Sequence, residues 1–235
     1  YLGLAIEADV NLNVALELQN LLVESGAIVE MSRTKDETVP LKTRSDLANK
    51  SGANIFISIH HNAPPIEGDN YTNYTSTYYH STPDYFNYEP CEQDIAKYIQ
   101  RDLAYAVRNS GGPGSFDGTY SDYAIYPGEG FLVLRLTEIP AVLVECGFHT
   151  HHIQEQRLAD EFYNKIEAWG IFRGLCRYFK SGIPEIEFIK TERVDSVSIV
   201  QCLLKDSSGI NINSIKVFTD SIETIYNFDE STALL

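Results

Sequence analysis

The sequence predicts an α/β fold: a mostly parallel twisted sheet with helices on both faces, followed by a small C-terminal all-β segment. Three observations carry this. "ANIFISI" and "AVLVECGF" are near-continuous apolar runs, the pattern of strands covered on both faces. Segments of helical periodicity alternate with such runs, as in βαβ units. Beyond residue 182 the helix signal stops and alternating β-type segments take over.

In chain order, "DVNLNVALELQNLLVES" (9–25) places Val10, Val14, Leu18, Leu21 and Leu22 at three- and four-residue steps, with Gly26 as a stop, and predicts an amphipathic helix. "AIVEMSR" follows as a short strand. "PLKTRSDLANKSG" is a second helix, with Pro40 at its first turn and Gly52 ending it. "ANIFISI" is the buried strand that ends on His60 and His61. Residues 66–90 are rich in Tyr, Asn, Thr and Ser and read mostly as loop, with "TSTYYHS" the strand-like piece. "CEQDIAKYIQRDLAYAVRN" is a third helix, closed by "GGPG" at 111–114. "FLVLRL" and "AVLVECGF" are two more buried strands. Residues 153–180 are a long helix with Ile166, Trp169, Ile171, Leu175 and Phe179 for its inner face. The main domain therefore spans 1–182. The remainder, 183–235, carries "SVSIVQCLL" and "SIKVFTD", and a three- or four-strand piece of that size is marginal alone.

Composition narrows the partners. The chain has 18 Lys and Arg against 33 Asp and Glu, a net charge of −15, with the acids spread along its length. Polyanions need clustered cations, so nucleic acid and anionic membrane surfaces are disfavoured. No apolar stretch approaches the ~20 residues of a membrane span, and the N-terminus does not read as a signal peptide. The four cysteines are widely spaced, which excludes a CxxC zinc knuckle and favours buried free thiols.

In an open parallel sheet, ligands bind outside the carboxyl ends of the strands. His60 and Glu145 both sit at such ends, and Glu7 stands just before the first helix, where it reaches the same edge. Two readings compete. In one, Glu7 is an acid favoured by the helix dipole, His60 and His61 are a solvated pair, and Glu145 is neutralised by a nearby Arg or Lys. In the other, a His and a Glu bind zinc and a separate Glu acts as general base on an amide. An apolar strand ending on Glu145 between Val144 and Cys146 favours the second, because burying that carboxylate without a cation is costly.

"SRTKDETVPLKTRSDLANKSGANIFISIHHNA" and "IPAVLVECGFHTHHIQEQRLAD" closely resemble two signature stretches of the zinc-dependent N-acetylmuramoyl-L-alanine amidases. That family cleaves the bond between muramic acid and the stem peptide of peptidoglycan. The resemblance runs from about residue 7 to residue 180 and rests on Arg33, Leu41, Arg44, Ala48, Asn49, Ser58, His60 and Asn62, and on Pro140 to Phe148. It implies Zn2+ as cofactor, Glu7 and His60 as metal ligands and Glu145 as the catalytic carboxylate. It further implies peptidoglycan or muropeptide as substrate and a secreted or cell-envelope location. Arg33 and Arg44 read as loop ties rather than substrate contacts.

The sequence also departs from that pattern. The family's first zinc ligand, a histidine in a "DPGHGG" turn, has no counterpart here, since the chain begins at Tyr1. The expectation is a chain continuing upstream, or else a variant with a broken site. His61, His80, His149, His151 and His152 are the possible substitutes. The C-terminal "IVQCLLKDSSGININSIKVFTD" resembles the opening strands of bacterial immunoglobulin-like repeats, and the protein is expected to continue past Leu235. Two rivals stay open: a catalytically inactive peptidoglycan-binding or regulatory module, and a metal-free hydrolase using two carboxylates.

Overall fold

The structure is a computed structural model that describes residues 3–81, 90–112, 117–182, 185–206, 210 and 212–235. It contains two compact units, Tyr1–Arg177 and Tyr178–Leu235. The expected "GGPG" stop, the 66–90 loop and the start of the 183–235 segment fall partly outside the described residues.

In the first unit, α1 (Glu7–Glu24) buries Val10, Val14 and Leu18, the stripe its periodicity predicts. Helix α2 (Leu41–Ser51) starts behind Pro40 and stops at Gly52, whose φ of +70° a side chain rarely adopts. Strands β1 (Phe56–Asn62), β2 (Ser76–Tyr79), β3 (Thr119–Ser121) and β4 (Ala141–Phe148) form one sheet in the order β1-β4-β2-β3. β1 runs parallel to β4 and β3 parallel to β2, while β2 is antiparallel to β4, so the sheet is mostly parallel as expected.

Helices cover both faces of this sheet. On one, Ala141, Leu143 and Tyr78 pack with Val133 and Leu134 of α4 (Leu132–Arg135), and Ser45 of α2 donates to the Val133 carbonyl. On the other, Thr77 donates to Gln100 of α3 (Pro90–Val107), and His61 contacts Asn11 of α1 and Glu167 of α6 (Glu161–Ser181). No helix among the described residues is long and apolar enough to cross a membrane.

Four expectations need correction. "AIVEMSR" is not a strand: Gly26, at φ +92°, turns the chain out of α1, and among the described residues no strand runs beside it, leaving Ile28 fully exposed. "FLVLRL" is not a strand either. Phe131 donates its N–H to the buried Asp122 carboxylate at 2.8 Å, and the next residues close into the single turn of α4. A short apolar run cannot be assigned by periodicity alone. The expected helix over 153–180 is two, α5 (His152–Leu158) and α6, because the Asp160 side chain takes the Phe162 N–H and starts a new helix. The inner face of α6 is also different. Trp169 and Phe179 are exposed, and Gly170 and Gly174 instead lie against α3, where an added Cβ would come within 2.8 Å of Leu103 Cα and 2.5 Å of Ile99 Cα respectively.

The second unit holds an antiparallel hairpin of β5 (Glu185–Val194) and β6 (Val197–Lys205), and a small pair β7 (Phe218–Thr219) and β8 (Ile222–Glu223). "SVSIVQCLL" became β6. β5 was not anticipated, although its Ile186 and Phe188 alternate with glutamates.

Candidate functional site

The carboxyl ends of β1 and β4 gather the three residues singled out in the sequence. His60 and Glu145 are register partners across the parallel ladder, so both side chains leave the same face of the sheet. Glu7, the first residue of α1, reaches them from the side: its Oε1 accepts from Asn11 Nδ2 at 3.0 Å, His60 Nδ1 at 3.3 Å and the His61 backbone N–H at 3.4 Å. His60 Nε2 accepts from Ser58 Oγ at 3.0 Å, which leaves the ring proton on Nδ1, facing Glu7. Burial alone would raise the Glu7 carboxyl. The hydrogen bonds from His60 and Asn11 outweigh it and bring the group down to about 2, so Glu7 is a carboxylate at any physiological pH.

Glu145 is its opposite. Its Oε2 is buried, and among the described residues it has no hydrogen-bond partner and no Lys or Arg pairs with it, which removes the expectation of simple neutralisation. Burial first, and the charge of Glu7 second, push its carboxyl up to about 8. A group held there exchanges a proton near neutral pH, the property a general acid or base needs. Tyr74 stands close enough for the Glu145 charge to add to burial in raising its phenol. Its ring packs on Phe148 with centroids 4.6 Å apart, and Gly112 makes room for it, since a Cβ there would lie 2.9 Å from the ring.

A second polar cluster lies on the opposite face. His61, one residue on from His60, points inward and is 2% exposed. Its Nδ1 meets Asn11 Oδ1 at 2.7 Å and its Nε2 meets Glu167 Oε1 at 3.2 Å. Ligand-type atoms of His61, Cys146 and Glu167 lie within 4.8 Å of one another, a possible metal-binding site. Burial, however, drives the Cys146 thiol well above its ordinary value, away from the thiolate a metal binds.

The other histidines are dispersed. His80 bonds the Asp122 carboxylate at 2.9 Å, beyond Tyr79, which pairs with Val142 while Glu145 pairs with Ser76; it therefore lies towards the far end of the sheet. His151 caps α5 by accepting from the Gln154 N–H, and His152 meets the Tyr71 ring edge-on. His149 is at the right edge, its Nδ1 donating to the His61 carbonyl at 3.2 Å. Arg33 and Arg44 donate to the Ala8 and Val39 carbonyls, as loop ties would. Asn11, Glu167 and Tyr74 were not foreseen. Asn11 was findable as the residue one helical turn beyond Glu7.

The donor types suit a metal at the first cluster. Glu7 and His60 present a carboxylate and an imidazole whose atoms lie 3.3 Å apart, with the orphaned Glu145 oxygen on the adjoining strand. They supply two protein ligands, where catalytic zinc usually has three.

A family model described as N-acetylmuramoyl-L-alanine amidase matches residues 2–177. The germination-specific N-acetylmuramoyl-L-alanine amidase of Bacillus subtilis (strain 168) is 29% identical over 199 residues, covering 78% of this chain and 76% of that protein. The probable cell wall amidase LytH of Staphylococcus aureus is 29% identical over 177 residues, 75% of this chain but 51% of LytH, so the chain spans about half of that relative. Among solved structures, an N-acetylmuramoyl-L-alanine amidase from Clostridium difficile 630 is 32% identical with a TM-score of 0.61, covering 75% of this chain and 85% of that one. The CwlD amidase from Clostridioides difficile, solved in complex with the GerS lipoprotein, is 26% identical with a TM-score of 0.61, covering 74% and 86%.

Proposed function

The chain belongs to the family of N-acetylmuramoyl-L-alanine amidases, hydrolases of cell-wall peptidoglycan, and from that premise we propose a zinc-dependent reaction in which Glu7 and His60 hold the metal and Glu145 moves the proton. The observation that carries this reading is the Glu145 Oε2 atom, buried without a partner beside His60. An orphaned buried carboxylate oxygen costs on the order of 1–3 kcal/mol, and a site that tolerates it has a use for it.

A bound zinc would supply Lewis-acid polarisation of the scissile amide carbonyl. The protein's own residues do the rest. Glu7, already ionised, offers a ready carboxylate ligand, and His60 is turned toward the same point by Glu7 and Ser58. Glu145 takes a proton from the attacking water and returns it to the leaving L-alanine amine, which balances the hydrolysis. Tyr74, half-buried near Glu145 and backed by the buried Phe148, offers a ring to the substrate. A peptidoglycan substrate supports a location outside the cytoplasm, in the cell envelope or secreted. We read the C-terminal unit as part of an immunoglobulin-like repeat, a reading supported by its antiparallel β5–β6 hairpin. Digestion of purified muropeptides tests the activity: mass spectrometry should find free stem peptides with an L-alanine N-terminus, and intact muropeptides after prolonged incubation with zinc would overturn it.

A further inference from the structure

A hydrogen-bonded chain connects the site to the interior. Asn11 Nδ2 donates to Glu7 Oε1 at 3.0 Å, which fixes the orientation of the amide and turns its Oδ1 toward His61. His61 Nδ1 must then donate to that oxygen, at 2.7 Å. The far side of the ring meets Glu167 Oε1 at 3.2 Å, and Glu167 Oε2 lies 3.5 Å from Asn164 Nδ2, which also donates to the Leu158 carbonyl at 3.1 Å. His61 and Glu167 have fully buried side chains, so neither is held there by solvent. The chain thus passes from the interior of α6, through β1, to the first turn of α1, and ends on the carboxylate.

Its effect on Glu7 is directional. Among the described residues the three hydrogen bonds to the carboxylate, from Asn11, His60 and the His61 backbone, fall on Oε1, which leaves Oε2 for another partner. An asparagine on a helix surface has several rotamers. This one is confined because its oxygen is claimed by a buried imidazole that is itself claimed by a buried carboxylate.

We propose that Asn11, locked by the buried His61–Glu167 pair, is a positioning residue that aims the Glu7 carboxylate at the metal. The proposal rests on the metal reading given above. It also gives the buried polar cluster a task that needs no ion within it: Glu167 holds His61, His61 holds Asn11, and Asn11 holds the ligand. Partners of this kind behind metal ligands are typically worth about 10–100-fold in metal affinity.

Zinc affinity of the whole chain, measured by competition with a chromophoric chelator, tests this independently of turnover. Asn11→Leu, similar in size but unable to hydrogen-bond, should weaken zinc by at least about tenfold with the fold retained by circular dichroism. Glu167→Leu should weaken it similarly, whereas Glu167→Gln, whose amide offers both a donor and an acceptor to His61 Nε2, should bind zinc nearly as well as the unaltered chain. A folded Asn11→Leu chain with unchanged affinity overturns the proposal, even if Glu167→Leu fails to fold. Equal loss in Glu167→Gln and Glu167→Leu also overturns it. His60→Ala separates this from the underlying reading. If the unaltered chain binds no zinc, or its zinc survives His60→Ala but not Cys146→Ala, the ion is not held by Glu7 and His60, and both fall.

Discussion

His60 and Glu145 stand side by side across the parallel β1–β4 ladder, an imidazole tied to Glu7 next to a carboxylate oxygen that no described residue hydrogen-bonds. The pairing follows from two apolar strands that both become polar at their carboxyl ends, with the register fixed from Phe56 opposite Ala141 onward. One residue of slip would send His60 to the buried face and bring His61 out. The geometry of the site is thus set by the same apolar contacts that hold the sheet.

Glu145→Gln tests the role of the orphaned oxygen. The amide is nearly isosteric and carries no charge, so fold and zinc content should persist, while turnover of muropeptides should fall by about 100-fold or more, as for a lost general base. Turnover within a factor of two of the unaltered chain would remove Glu145 from the proton path.

Stability of the metal-free chain should depend on pH through the same residue. Burial and the charge of Glu7 raise its folded-state value to about 8 from 4.5. Between those values the unfolded chain has lost the proton and the folded chain keeps it, so the folded state binds more protons. Its contribution is fully present below 4.5 and is lost as pH rises toward about 8, with a slope of at most ~1.4 kcal/mol per pH unit. Urea unfolding in chelator across that window should show the decline, and Glu145→Gln should flatten it. Parallel profiles for the two chains would show that the carboxyl is not held protonated in the fold.

Much of this was legible in the sequence, and the exceptions have physical causes. That Glu7, His60 and Glu145 meet at one sheet edge was readable because strand ends and helix starts fix where side chains emerge. Asn11 and Glu167 were not, because a polar residue on a helix's inner face looks like an error in the apolar stripe until its partner is known. Trp169 was assigned inward for being apolar and large, yet the face that meets α3 is made of Gly170 and Gly174, where contact is between backbones. "FLVLRL" has a strand's composition, but the Asp122 carboxylate that starts α4 lies nine residues back. Strand "AIVEMSR" failed because a strand is a relation between two segments rather than a property of one.

The glycine contact gives a stability prediction. Gly174→Ala would push a Cβ to 2.5 Å from Ile99 Cα and 2.7 Å from the Tyr98 carbonyl, both backbone atoms that cannot rotate away. Helices α3 and α6 must then separate, at about 1–3 kcal/mol, despite alanine's better helix propensity. Trp169→Ala, on the exposed side of the same helix, should cost less. Thermal denaturation of the two variants checks the ranking, and the reverse order would mean that α6 packs through its aromatic side.

Removal of metal distinguishes the proposed chemistry from a mechanism run by two carboxylates. Glu7 and Glu145 are near enough for the charge of one to raise the other, and their opposite perturbations, one down to about 2 and one up to about 8, are also what an acid and base pair would show. The hydrogen bonds separate the cases. Glu7 Oε1 accepts from the His60 imidazole and the Asn11 amide, the environment of a carboxylate kept ionised to bind a cation, whereas a second catalytic carboxyl would be left free to reach substrate. Dialysis against a chelator should therefore abolish muropeptide cleavage and added zinc should restore it. In Glu7→Gln, which keeps the shape of the ligand and loses its charge, restoration should need at least about tenfold more zinc. Cleavage that survives the chelator and releases glycan fragments would instead assign the two carboxylates to a glycosidic bond.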